Sequence, residues 1–296
     1  MQRTNMVKGY LFVIASAFLY GCMPLGAKYI YAEGVNALSL VLLRNILAIP
    51  ILAVVAKLQG QSLSISKKAL IKIGIIGALG CCLTPILLFS SYQYLSSGTA
   101  TVFHFIYPTA VVLGGIILLK ERARASSFIC VALCTVGICL FYNPSEPIDI
   151  RGSVLALLSG ITYAFYILFL SYFRDKDVSG TKYCFYIAIT CSITMSIVCI
   201  LSGKFALPAT IRGWALCVVF SITLGICAVM LFQAGTFIIG GQRASILSTV
   251  EPITSILAGA LFLNEAITAR TFAGSFLVVL ASILVAWFDM KSAKNS

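Results

Sequence analysis

SGTATVFHFIYPTAVVLGGIILLKE, Ser97 to Glu121, returns in outline as GQRASILSTVEPITSILAGALFLNE, Gly241 to Glu265. The shift is 144 residues (265 − 121), and in that register Ala100 meets Ala244, Pro108 meets Pro252, Gly115 meets Gly259 and Glu121 meets Glu265. Phe128 then meets Phe272. Leucine matches carry nothing in so apolar a chain, but a proline, a glycine and a terminal glutamate in one register do. A second pair of stretches agrees with a shift of 143 (152 − 9): KGYLFVIASAFLYG sets Gly9, Ser16 and Tyr20 against Gly152, Ser159 and Tyr163 of RGSVLALLSGITYA. The sequence is a duplication, with halves at 8–142 and 151–288 forming one structural domain.

Composition names the solvent. Of 296 residues 60% are hydrophobic and 10% charged, and the mean hydropathy is +1.03, which is more apolar surface than a water-soluble domain of this size can hide. Cutting at charged and turn residues leaves ten apolar segments, 9–30, 36–56, 70–92, 97–119, 125–142, 152–173, 182–202, 213–237, 243–263 and 268–288. Each approaches the roughly 20 residues that a helix needs to cross about 30 Å of hydrocarbon. Their length, their internal Gly and Pro and the lack of strict alternation predict an all-α integral membrane protein of ten transmembrane helices rather than a β-barrel. The first segment exceeds the roughly 7 to 15 residues of a signal-peptide core and reads as a retained helix.

The net charge of +12 reports topology rather than nucleic-acid binding. With a cytoplasmic N-terminus, fifteen of the 21 Lys and Arg residues fall on the inner side and only Lys28, Arg151, Lys204, Arg212 and Arg270 outside, with Arg44 left within the second segment. This is the positive-inside bias of polytopic proteins. Five segments per half is an odd number, so the second half enters the membrane from the opposite face, as inverted-topology repeats of secondary transporters do.

Other chemistries find no foothold. The eleven cysteines lie within the apolar segments and behave there as small hydrophobes. Cys130 and Cys134 have helical i, i+4 spacing but no His or carboxylate to complete a metal site. Gly203-Lys204 is followed by Phe205 and belongs to no phosphate loop. No enzyme, cofactor or metal is expected, since one histidine and one intramembrane acid do not make a catalytic cluster.

The alanine-rich starts, the mid-helix proline preceded by Tyr or Glu, and the terminal Lys-Glu or Asn-Glu of GTATVFHFIYP…LLKE and QRASILSTVEP…FLNE resemble the paired EamA domains of the drug/metabolite transporter superfamily, as does Arg44 in VLLRNILA. The resemblance implies two inverted five-helix repeats and secondary transport of a metabolite such as an amino acid or amine, often outward. The second half departs from the first in carrying Ile187 where the 143 shift would place a second Arg44, and His104 is not part of the family pattern.

Polar groups at membrane depth are the functional candidates, because a mid-helix Asp, Lys or Arg costs about 2.5 to 3.5 kcal/mol on insertion scales. Glu251 is the acid that lies well inside a segment. A carboxylate there changes protonation according to whether hydrocarbon, water or solute surrounds it, so Glu251 is the proton-coupling candidate; the other reading is a prop beside Pro252, where the helical ladder is interrupted. His104, Tyr107 and Pro108 share a helix face at i, i+3 and i+4, and their counterparts are Ser248, Glu251 and Pro252. About a pseudo-twofold axis both faces look into a central cavity, with Tyr20 and Tyr163 as candidate aromatic walls; the alternative for each is packing. Arg44, with Pro108, Pro252, Glu121 and Glu265, reads as structural, Arg44 because a permanent cation in hydrocarbon needs fixed acceptors. Gln93, Gln233 and Thr84 are weaker candidates.

These features favour a secondary transporter of the cytoplasmic (inner) membrane with both termini cytoplasmic, exporting a small metabolite by alternating access, with protons as the candidate coupling ion. Uptake or uncoupled facilitation is the alternative; a channel would need a continuous polar stripe. A reporter fused within Asn143 to Ile150 is expected outside and one at the C-terminus inside, so both reporting from the same face would overturn the topology.

Overall fold

The computed structural model describes residues 2–91, 93–95, 97–120, 125–140, 149–172, 178–263 and 268–292. Among these every regular element is helical. Eight helices are long and apolar enough to cross a membrane: α1 (Asn5–Ala32), α2 (Ala37–Leu58), α3 (Lys67–Ser91), α4 (Ala100–Leu119), α6 (Ile150–Tyr172), α7 (Gly180–Ser202), α8 (Ile211–Ile239) and α9 (Gly241–Phe262). Two are shorter in apolar extent: α5 (Ala125–Cys139) and, within α10 (Ala269–Ser292), the run Phe272–Leu284. The sequence predicts ten crossings; eight spans of that length are found among the described residues, and α5 and the α10 run are bounded by residues outside the described ones. Glu121, Glu265 and residues 143–148 lie outside the described residues.

The two halves share their punctuation. Asn36 caps α2 by accepting from Ser39 N at 2.9 Å, and 143 residues later Ser179 caps α7 by accepting from Lys182 N at 3.3 Å. Ser66 caps α3 from Ala69 N at 3.2 Å, and 144 residues later Thr210 caps α8 from Gly213 N at 3.1 Å. These side chains supply acceptors to helix-start amides that have none. Past the ends of α2 and α7, Gly60 and Gly203 turn the chain with φ of 65° and 63°, a left-handed conformation that glycine adopts at no steric cost. The interior irregularities recur as well: α3 widens to a π-helix at Gly77–Leu83 and α8 at Ser221–Ala228. Helix α4 breaks at Phe105–Ile106, and α9 tightens to a 3₁₀ turn at Ser248–Val250.

Packing follows the same exchange of halves. Helix α1 lies on α8 and α9 while α6 lies on α3 and α4; α2 pairs with α7, α4 with α9 and α5 with α10. The equivalent helices α2 and α7 run antiparallel, because the start of each meets the chain just beyond the end of the other. At one end Asn36 Nδ2 donates to Lys204 O at 2.8 Å; at the other Ser179 Oγ donates to Gln61 Oε1 at 2.5 Å. Adding 143 to 36 and 61 gives 179 and 204, so these bonds join the same two positions. Around this frame the outward side chains are apolar, including Ile117, Leu118, Phe272 and Phe276, as suits a surface solvated by lipid.

Close approach at the α4 break depends on Gly160 of α6. A Cβ there would overlap the His104 carbonyl oxygen and lie 2.7 Å from Ile106 Cγ2. Gly160→Ala is expected to cost about 1 to 3 kcal/mol by overpacking, while Gly180→Ala, with nothing within 4 Å of the added methyl, should be near neutral. Comparison of thermal unfolding midpoints of the two variants in detergent checks this; equal midpoints would show that α4 does not lean on Gly160.

Candidate functional site

Pro108 and Pro252 position the site. Each lacks the amide hydrogen that the residue four earlier would receive in a regular helix, and those residues are His104 and Ser248. Helix α4 resumes at Tyr107 and α9 at Glu251, so Glu251 occupies the first position of a helical stretch, where the aligned peptide dipoles favour a negative charge. Glu251 N donates to Ser248 O, which closes the 3₁₀ turn.

Beside these breaks lies a cavity of about 840 Å³, counted out to its mouth, lined by α1 to α4 and α6 to α9. Tyr20, Arg44, His104, Tyr163 and Glu251 all face it. Tyr107 and Ser248 do not. Both lie behind the wall, Tyr107 fully buried and Ser248 3% exposed, because Ser248 Oγ turns back to donate to Ala244 O at 2.7 Å. The Tyr107 hydroxyl sits beside Ser248 and within electrostatic reach of Glu251 but completes no hydrogen bond. The two equivalent faces thus present different residues to the cavity, His104 on one and Glu251 on the other: a hydroxyl short enough to bond its own helix does so, and an imidazole cannot.

The imidazole of His104 reaches across to α6, where Nδ1 lies 2.8 Å from Ser159 Oγ. Ser159 Oγ in turn donates to Ala156 O at 2.6 Å, so its single proton is engaged and Nδ1 must be the donor. Neutral His104 therefore carries its proton on Nδ1 and keeps Nε2 as an acceptor. Aromatic rings back it: Tyr163 lies 5.7 Å from the imidazole, and Tyr166 stacks on Tyr163 at 5.8 Å. Ser16, the counterpart of Ser159, makes a different bond, donating to Ala228 O of α8 at 2.7 Å.

The two charged wall residues form no ion pair among the described residues. Arg44 Nε is buried without a hydrogen bond, and among the described residues neither the Arg44 guanidinium nor the Glu251 carboxylate forms an ion pair, the one such pair being Arg212 with Glu33 near the surface, at 4.0 Å. The Arg44 backbone is held, since Ser221 Oγ at the start of the α8 π-helix donates to Arg44 O at 2.7 Å. Ile187, the residue equivalent to Arg44, lines the same cavity.

Asn45, Tyr166, Cys81 and Cys184 also line the cavity and were not singled out from sequence; Thr84, a weak candidate there, does so too. Tyr166 was legible as i+3 from Tyr163 on one helix face, whereas Asn45 beside Arg44 gave no periodic signal. Gln233 lies behind the wall, fully buried, and braces it by donating to Tyr166 Oη and accepting from Cys184 Sγ, both at 3.4 Å. Gln93 is in an exposed turn outside the site.

Known proteins share this architecture. A solved structure superposes with a TM-score of 0.77 at 16% identity, over 96% of this chain and 98% of its own, which shows a common fold. An uncharacterized inner membrane transporter of Salmonella typhimurium, YicL, is 26% identical over 97% of this chain and 98% of its own length. An uncharacterized transporter of Archaeoglobus fulgidus is 29% identical over 74% and 78%. The EamA-like transporter family matches twice, over residues 7–143 and 150–287. Two such matches, end to end along the chain, make it a member of the EamA-like transporter family, and so a multi-pass membrane transporter rather than an enzyme.

Proposed function

We propose that the chain is a secondary transporter of the cytoplasmic membrane, crossing it ten times as two inverted five-helix repeats with both termini inside, and that it exports a small metabolite by alternating access in exchange for protons. The observation that carries this reading is the cavity, whose walls come from four helices of each half. Inverted repeats that enclose a site can exchange conformations, and the exchange moves the opening from one face of the membrane to the other. The equivalent bonds at the two ends of the α2–α7 pair and the fifteen-to-five charge bias favour the inverted arrangement. Partners on this reading are the bilayer, a small solute and the proton.

Glu251 is the coupling group because it is the carboxylate that lines the cavity, and a carboxylate can exchange a bound proton for a solute. Solute and proton compete for one carboxylate, so each that binds releases the other. The cavity's single cation and single anion disfavour a multiply charged solute.

The test is flux in proteoliposomes, with solutes first identified by a counterflow screen. The parent protein should accumulate solute against its gradient when a pH gradient is imposed. Glu251→Gln should lose that accumulation, while exchange at equal pH persists with reduced apparent affinity. Gradient-driven accumulation at the parent level in Glu251→Gln would remove Glu251 as the coupling group, and a parent protein indifferent to the gradient would leave an uncoupled facilitator.

A further inference from the structure

We propose that Cys81 and Cys191 are a redox pair: a peroxide that enters the cavity oxidises Cys81, and Cys191 closes onto it a disulfide that ties α3 to α7. The consequence for solute movement rests on the transport reading above, whereas the chemistry of the pair does not.

Three of the cysteines meet where these two helices pack. Helices α3 and α7 leave from the same end, since Ser179 Oγ at the start of α7 donates to Gln61 Oε1 and Lys182 Nζ to Ser64 O at 3.3 Å, both acceptors lying just ahead of α3. The two helices therefore run side by side in one direction. Their backbones come close at Gly77, where an added Cβ would lie 3.5 Å from Ile187 Cα. The offset of that contact is 110 residues (187 − 77), and Cys191 is 110 residues beyond Cys81 (191 − 81), one turn further along both helices. There the Cys191 thiol donates to Gly77 O at 3.6 Å and has the thiols of Cys81 and Cys82 within its hydrogen-bonding reach. A π-helix has more residues per turn than an α-helix, so consecutive side chains diverge less, and in the π stretch Gly77–Leu83 both cysteines can reach α7. Close, parallel backbones are what a disulfide requires, because the Cα atoms it bridges lie about 4.4 to 6.8 Å apart.

The three thiols differ in access. Cys81 is partly exposed and lines the cavity, whereas Cys82 and Cys191 are buried. Arg44 lines the same cavity and acts electrostatically on Cys81, and a neighbouring cation makes a thiol more reactive. With hydrogen peroxide, the Cys81 sulfur attacks one peroxide oxygen; the O–O bond breaks and an S–O bond forms, giving a sulfenic acid and a water that carries off the thiol proton. The Cys191 sulfur then attacks the Cys81 sulfur. The S–S bond forms, the S–O bond breaks, and the hydroxyl leaves with the Cys191 proton as a second water. Two thiols have lost two electrons and one peroxide has gained them. A small dithiol reverses the step by exchange at the Cys81 sulfur, the one that the cavity exposes. Helix α3 belongs to the first half and α7 to the second, so the bond joins the two repeats through the cavity wall and holds the opening on one face.

The experiment uses full-length protein purified reduced in detergent, treated with hydrogen peroxide, blocked with N-ethylmaleimide and digested without reductant for mass spectrometry. A peptide holding Cys81 should appear joined to one holding Cys191, lighter by two hydrogens than their sum and parted by dithiothreitol. The link should persist in Cys82→Ser and vanish in Cys81→Ser. It should also vanish in Cys191→Ser, where Cys81 stops at the sulfenic acid and is trapped by dimedone; where that variant fails to fold, Cys191→Ala takes its place. Cys81 left unreacted, a link that survives in Cys81→Ser, or a bond from Cys81 to any other cysteine would overturn the pair. Counterflow in proteoliposomes reads the consequence: exchange by the oxidised protein should fall to that of protein-free liposomes and return with dithiothreitol, while Cys191→Ser keeps its exchange through the same treatment. Undiminished exchange by the linked protein would overturn the clamp. A reduced protein that exchanges no solute would overturn the transport reading, and the linked peptide would still decide the pair.

Discussion

Pro108 and Pro252 each withhold an amide hydrogen from the middle of a helix that has no water at hand to replace it. The site is arranged around those two omissions. Helix α9 answers with a 3₁₀ turn in which Glu251 N bonds Ser248 O, and α4 with a break at Phe105–Ile106 against which α6 brings Gly160. Where a transmembrane helix restarts, its peptide dipoles present a positive end to the membrane interior. That end is where a carboxylate is best tolerated, and Glu251 occupies it. Irregular backbone at this depth is viable only inside protein or beside a cavity; both breaks meet that condition.

The frame that holds these breaks is symmetric and the lining is not. Caps at Asn36 and Ser179 and at Ser66 and Thr210, left-handed glycines at 60 and 203, and two π-helical stretches repeat with shifts of 143 or 144. Repetition at helix ends is what conserves the directions of the helices, since caps and turns set where each begins and how the chain leaves it. On the cavity wall the paired positions differ: Arg44 faces Ile187, and Cys81 corresponds to Gly225. His104 corresponds to Ser248 and Tyr107 to Glu251, and in each pair one member lines the cavity while the other lies behind it.

The cysteines show how little composition says about role. Cys134 bonds Thr249 at 3.3 Å and Cys184 bonds Gln233 at 3.4 Å, both as weak polar contacts within packed helices.

The sequence by itself determined the solvent, the helical class, the duplication and the register that pairs proline with proline, because each of these is written in local composition or in spacing along the chain. It also named Tyr20, His104, Tyr163 and Glu251, and more weakly Thr84, as cavity candidates, and Arg44 as a structural one, since a polar side chain within an apolar segment is conspicuous wherever it ends up pointing. It did not separate Tyr107 and Ser248 from them, as the periodicity that put His104, Tyr107 and Pro108 on one face fixes a direction relative to the helix and not to its neighbours. Nor did it show that Arg44 Nε is buried without a hydrogen bond among the described residues, or that the His104 imidazole is fixed through Nδ1 by a serine 55 residues away. Those facts belong to the tertiary structure, because a hydrogen bond or an ion pair between segments exists only once packing has brought the two groups within reach.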